Sequence, residues 1–118
     1  MSLASLFLAA GLLLAAPDPA RSHSLLLEAS PAPNAVLAAP PALVALRFNN
    51  RIEKRLSGIR LLDVQGAARV LAVRPDGPPD RLEAAAPPLQ AGSWRLEWHV
   101  LSMDGHVVSG GFPFRIAP

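Results

Sequence analysis

The sequence of 118 residues contains no cysteine and no tyrosine, and it has only two methionines. The absence of cysteine excludes disulfide frameworks, thiolate metal sites and cysteine nucleophiles. Basic residues number 11 against 9 acidic ones, and they are scattered along the chain rather than gathered beside aromatic residues. A nucleic-acid surface requires such a cluster, so we expect no nucleic-acid partner.

One long apolar run is present, at the start of the chain. Leu3–Ala16 carries no charge and falls short of the roughly 20 apolar residues that a transmembrane helix needs. The following Ala20-Arg21-Ser22 has the small-x-small pattern that signal peptidase accepts. We predict that residues 1–22 are a cleaved signal peptide and that residues 23–118 form one domain without a membrane span. Because no basic residue precedes the run, an uncleaved anchor or a misplaced start codon is the alternative.

The rest of the chain shows short alternating runs divided by turn-forming residues, a pattern typical of β-strands. In the clearest run, Trp94, Leu96 and Trp98 point to one face, while Glu97 and His99 point to the other. No segment has helical periodicity. We therefore predict an all-β fold, an immunoglobulin-like seven-stranded β-sandwich or a Greek-key barrel. The predicted strands lie at Leu25–Leu27, Leu43–Phe48, Ile59–Val64, Arg69–Val73, Leu82–Ala85, Trp94–Val100 and Phe112–Ile116.

Two of the three histidines have no strong claim to chemistry when taken alone. His99 lies on the polar face of its strand, where a solvated or cross-strand-paired side chain is the favoured interpretation. His106 follows Asp104 by two residues, a spacing that places both side chains on one side of an extended segment. From the spacing alone, an exposed histidine after an ordinary Asp-Gly turn is the favoured interpretation, so the Asp-x-His motif is weak by itself.

The third histidine changes this interpretation. After cleavage, His23 would be the first residue and would offer its α-amine and its imidazole as one chelating pair. With Asp104 and His106, the set comprises three nitrogens and one oxygen, which suits tetragonal Cu(II). The alternative is a flexible terminus that happens to begin with histidine.

These residues, together with their surroundings, resemble the CopC family of periplasmic copper-resistance proteins. The resemblance begins at the terminal histidine and is most specific in Trp94–Phe114, read as WRLEWHVLSMDGHVVSGGFPF. That segment is similar to the family's closing pattern of a tryptophan-containing strand, Ser-x-Asp-x-His and Gly-x-Phe-x-Phe. The resemblance implies a seven-stranded β-sandwich.

The resemblance also implies a function. It places one Cu(II) per chain on His23, Asp104 and His106, and it implies a monomeric periplasmic copper carrier or buffer that is not an enzyme. A CopD-type membrane copper transporter is the partner it suggests. Where some members have a further glutamate ligand, this sequence has Asn50, and Glu53 is only a distant substitute.

Two other functions remain open from the sequence. An amino-terminal histidine with a second histidine is also the histidine brace of copper-dependent oxygenases, although Asp104 would occupy a position that oxygen needs. A metal-free β-sandwich that acts as an interaction module explains the fold but none of the three ligand positions.

Overall fold

The computed structural model describes residues 24–118. The predicted signal peptide and His23 therefore lie outside the described residues. Strands account for all the regular secondary structure of the described part, and no helix long and apolar enough to cross a membrane occurs there.

Strands β1 to β8 form two sheets that pack face to face. The smaller sheet has the order β1-β3-β6, and the larger has the order β2-β8-β7-β4-β5. All pairings within the sheets are antiparallel except that of β2 with β8. The strands are Leu26–Ser30 (β1), Val36–Leu37 (β2), Leu43–Phe48 (β3), Ile52–Leu62 (β4), Ala68–Val70 (β5), Arg81–Ala85 (β6), Gly92–Ser102 (β7) and Val107–Ile116 (β8). The predicted all-β sandwich is confirmed.

The structure has one strand more than the seven expected, within the residues it describes. The additional strand, β2, consists of Val36 and Leu37 alone, which pair with Arg115 and Ile116 at the end of the last strand. Two residues are too few to show an alternating pattern, so this strand has no signal in the sequence.

Strand β4 begins at Ile52, well before the predicted start at Ile59. Its early part escaped prediction because the alternation is interrupted. Glu53 lies opposite Leu101 and Gly58 opposite His99, so residues 54–57 bulge out against the single residue between those two partners. A bulge of this kind disrupts the ladder locally and removes the period of two from the sequence.

The core lies between the two sheets and consists mostly of residues within the predicted strands, together with Ile52 and Leu89, which lie outside them. In β3 the side chains alternate strictly between half-buried and buried positions. The rings of Phe48 and Trp98 meet edge to face across the two sheets, with centroids 5.2 Å apart and planes at 72°. Burial of such side chains from both sheets supplies the main stabilising free energy of a sandwich. The fully buried members with large side chains are Phe48, Phe114, Leu46, Ile59, Leu61, Leu82, Leu96 and Ile116.

Candidate metal centre

The Asp-x-His motif lies on the tight hairpin between β7 and β8. The N–H of Ser102 donates to the carbonyl oxygen of His106 (2.9 Å), and the N–H of Gly105 donates to the carbonyl oxygen of Ser102 (3.0 Å). Gly105 has φ = 84°, and a Cβ added there would meet nothing within 4 Å. These two hydrogen bonds make Met103, Asp104 and Gly105 a three-residue loop that Ser102 and His106 close. Hairpin loops of this type need a left-handed residue at their last position, so glycine is present for its conformation rather than for space.

The carboxylate of Asp104 contacts His106 at two points. Its Oδ1 accepts a hydrogen bond from the backbone N–H of His106 (3.0 Å). Its Oδ2 lies 3.2 Å from Nδ1 of the same histidine. The Asp104 side chain is 19% exposed, and that of His106 is 71% exposed. The hairpin therefore presents an imidazole to solvent with a carboxylate fixed beside it.

This arrangement fits a metal ion. Two ligands at right angles on a metal, each bound at about 2.0 Å, lie about 2.8 Å apart. The separation of Nδ1 from Oδ2, 3.2 Å, is close to that value. Nitrogen and carboxylate donors also match the preference of Cu(II). The alternative use of the same pair is through Nε2 of His106, with Asp104 orienting the ring from Nδ1, as carboxylates commonly do for metal-bound histidines.

The first described residues are fastened to the base of this hairpin. Ser24 is completely buried, and its N–H donates to Oγ of Ser102 (3.0 Å). The N–H of Leu25 donates to Oδ1 of Asn49 (2.7 Å), and the N–H of Asn49 donates to the carbonyl oxygen of Leu25 (3.0 Å). Ser102 is two positions from Asp104, so the first described residue lies beside the strand end that leads into the motif.

The structure thus brings two of the three predicted ligands together, and the third, His23, lies outside the described residues. No group of three or more histidine, aspartate or glutamate side chains in a metal-binding arrangement occurs within residues 24–118.

The carboxylate and amide candidates beside the motif have separate positions. Asn50 lies in the bend between β3 and β4, two residues before Ile52, which pairs with Ser102. Glu53 is exposed and lies opposite Leu101, one residue further from the loop. The structure therefore brings both segments to the end of the sandwich that carries the hairpin.

His99 lies away from this centre. It is exposed on the outer face of the larger sheet, opposite Gly58 and Ser109. It lies three positions before Ser102 on the same strand, which amounts to roughly 10 Å along the strand. It lines an outer groove of about 540 Å³ together with Arg60, Arg95 and Glu97. Arg60 and Glu97 form an ion pair in that groove (3.1 Å).

Sequence reasoning overlooked Ser24, Asn49 and Ser102 as residues of the site. Ser102 belongs to the Ser-x-Asp-x-His pattern, so its position was visible but its role was not. Ser24 and Asn49 carried no signal, because each acts through a contact with a residue distant in the sequence.

The described residues thus form a small β-sandwich with an imidazole and a carboxylate side by side on the hairpin of its last two strands. Comparison with known proteins assigns this domain to a family. The family model of the CopC domain matches residues 26–117, and the chain belongs to the CopC family.

Individual relatives support this assignment. Copper resistance protein C of Pseudomonas syringae pv. tomato is 31% identical over 116 residues, which cover 92% of this chain and 90% of that protein. The crystal structure of CopC from Methylosinus trichosporium OB3b is 37% identical, with a TM-score of 0.74, and the match covers 81% of this chain and 95% of that one. PcoC, a methionine-rich copper resistance protein from Escherichia coli, is 25% identical, with a TM-score of 0.65 and coverage of 80% and 98%.

Proposed function

We propose that this protein binds one Cu(II) ion through the α-amine and imidazole of His23, the carboxylate of Asp104 and the imidazole of His106. The observation that supports the proposal is that the first described residue, Ser24, lies against the hairpin that holds Asp104 and His106. Ser24 is hydrogen-bonded to Ser102 at the base of that hairpin. A terminal histidine placed there would complete a three-residue site from two ends of the chain.

The proposed role is that of a periplasmic carrier or buffer of copper rather than an enzyme. Removal of residues 1–22 by signal peptidase would both export the protein and create the α-amine ligand. As a ligand, Asp104 would occupy a position on the ion that oxygen needs. The proposed ligand set therefore favours holding the ion over reacting it with oxygen. The family resemblance supports delivery to, or acceptance from, a CopD-type membrane copper transporter by a monomeric protein.

The methionine content of residues 24–118 does not support a Cu(I) site. Met103, in the hairpin loop, is the only methionine of residues 24–118, and its side chain is 64% exposed. Soft thioether ligands select Cu(I), and a single thioether does not make such a site. PcoC is described as methionine-rich, whereas this sequence has two methionines in all.

The experiment that tests the proposal is intact mass spectrometry of the secreted protein with and without one equivalent of Cu(II). We expect the mass of residues 23–118, increased by one copper ion. His106→Ala and Asp104→Ala should each lose the copper adduct. His99→Gln and Asp76→Ala, the matched controls outside the hairpin, should keep it. A different first residue, or full copper binding by both hairpin variants, would contradict the proposal.

A further inference from the structure

We propose that Ser102 is a positioning residue, which holds the amino-terminal ligand of the copper site in place through Ser24. This inference rests on the proposed function, because it concerns how His23 reaches the ion. The pair Ser24–Ser102 is called the serine clamp below.

The serine clamp joins two hydroxyl groups that are 78 residues apart in the sequence. Oγ of Ser102 accepts a hydrogen bond from the N–H of Ser24 (3.0 Å) and donates one to Oγ of Ser24 (3.0 Å). Two bonds to the same neighbour fix both the main chain and the side chain of Ser24. The residue is thereby held in one orientation, not merely at one place.

Burial makes this clamp unusual for its surroundings. Ser24 is 0% exposed and Ser102 is 4% exposed, and they are the only buried polar residues of the described chain. Burying a hydroxyl group is costly unless it finds a hydrogen-bond partner. An alanine pair would fill similar space without that cost, so shape alone does not call for serine at these positions.

Ser102 also closes the loop that carries the other two ligands. Its N–H donates to the carbonyl oxygen of His106, and its carbonyl oxygen accepts from the N–H of Gly105. The same residue therefore ties Asp104 and His106 to the strand through its backbone and ties the chain's start through its side chain. Asp104 and His106 belong to the hairpin that Ser102 closes. His23 precedes Ser24 in the sequence, and Ser24 is the residue that the side chain of Ser102 holds.

A second pair of hydrogen bonds holds the chain at the residue after Ser24. Leu25 exchanges hydrogen bonds with Asn49 through its N–H and its carbonyl oxygen. Leu25 itself is 44% exposed, so hydrogen bonds rather than deep burial hold this segment.

Without the clamp, the main chain of Ser24 would have to be ordered when copper binds, and ordering one residue corresponds to roughly tenfold in affinity. Loss of the clamp should therefore weaken Cu(II) binding by about tenfold. The expected loss comes from the terminal ligand alone, since the backbone bonds of residue 102 do not depend on its side chain.

The test measures Cu(II) affinity by competition with a chelator in two versions of the chain. One begins at His23, and the other has an extra glycine ahead of His23, which removes the α-amine as a chelating partner. In the first version, Ser102→Ala should weaken binding about tenfold. Ser102→Thr, which keeps a hydroxyl, and Ser109→Ala, a solvent-facing control on β8, should stay within about twofold of the parent.

In the glycine-extended version, Ser102→Ala should cost less than about twofold, because no terminal chelate remains to be positioned. Amide hydrogen exchange of Ser24 without copper gives an independent readout, and Ser102→Ala should accelerate it. Parent-like affinity of Ser102→Ala in the chain that begins at His23 would overturn the clamp alone. A tenfold loss that persists in the extended chain would assign Ser102 to the hairpin and also overturn the clamp. A parent chain that binds no Cu(II) would overturn the clamp and the proposed function together.

Discussion

The carboxylate of Asp104 contacts His106 at two points: Oδ1 accepts a hydrogen bond from the backbone N–H, and Oδ2 lies 3.2 Å from Nδ1. This contact fixes the carboxylate of Asp104 beside the imidazole of His106. It also leaves two possible uses of the carboxylate, as a ligand or as a group that orients the imidazole. The two uses differ in the size of the effect expected from substitution.

We expect Asp104→Asn to weaken Cu(II) binding by more than about 100-fold, since loss of a group that only orients a ligand costs about 10–100-fold. Asparagine keeps a side-chain oxygen for the backbone N–H of His106, so the turn should survive. Competition titration against a chelator gives the value. A loss of 10–100-fold would instead assign Asp104 to orientation of the ring, and no loss would remove it from the site.

The loop itself depends on Gly105. Gly105→Ala should lower the free energy of unfolding by about 1–2 kcal/mol, because φ = 84° is a left-handed conformation that an L side chain strains. Gly105→Asn should cost less, since asparagine tolerates this region better. Urea unfolding of the two variants checks the order. Equal stability of all three proteins would show that the loop changes conformation without cost.

Alanine substitution at two glycines should distinguish an aromatic ring that cannot move from one that can. A Cβ at Gly110 would lie 2.5 Å from the ring of Trp98, and a Cβ at Gly58 would lie 2.5 Å from the ring of His99. Trp98 is 9% exposed and packed against Phe48, whereas His99 is exposed and can swing aside. Gly110→Ala should therefore destabilise by about 1–3 kcal/mol, the usual cost of overpacking.

The matched variant Gly58→Ala should cost clearly less than Gly110→Ala in the same thermal unfolding experiment. The difference between them measures the freedom of the two rings, since the distances are the same. A larger loss at Gly58 would contradict this account of the outer face.

A pH dependence follows from the pair of Glu28 on β1 and Arg47 on β3, whose Nη2 and Oε1 lie 3.0 Å apart. The hydrogen bond from Arg47, and then its charge, lower the pKa of Glu28 below its usual value. A carboxyl group with a lowered pKa stabilises the fold above its unfolded pKa, and that contribution is lost as the pH falls through its folded pKa. The contribution is small because the pair is at the surface.

Glu28→Gln should therefore lower the melting temperature slightly at neutral pH, and the difference from the parent should vanish in acid below the usual range of glutamate. Glu83→Gln, at a position without an ion pair among the described residues, is the control and should show no such pH trend. A deficit for Glu28→Gln that grows in acid would have the wrong sign and would contradict the assignment.

Much of the fold could be predicted because inward and outward positions alternate along strands. The faces of Trp94–Val100 and Leu43–Phe48 follow from this alternation, and the structure shows the expected burial in both. The start of β4 could not be predicted, because the bulge at residues 54–57 removes the period of two. The pairing of β2 could not be predicted either, since two residues carry no pattern.

The candidate site divides in the same way. The sequence by itself determined the motif of Asp104 and His106, the family to which it points and the alternation that builds the sandwich, because these are encoded by neighbouring residues. Only the tertiary structure decided that Ser24 lies against Ser102 and Leu25 against Asn49. Such contacts join residues 78 and 24 positions apart. Their partners are chosen by how two sheets pack around one core, a choice that no local pattern records.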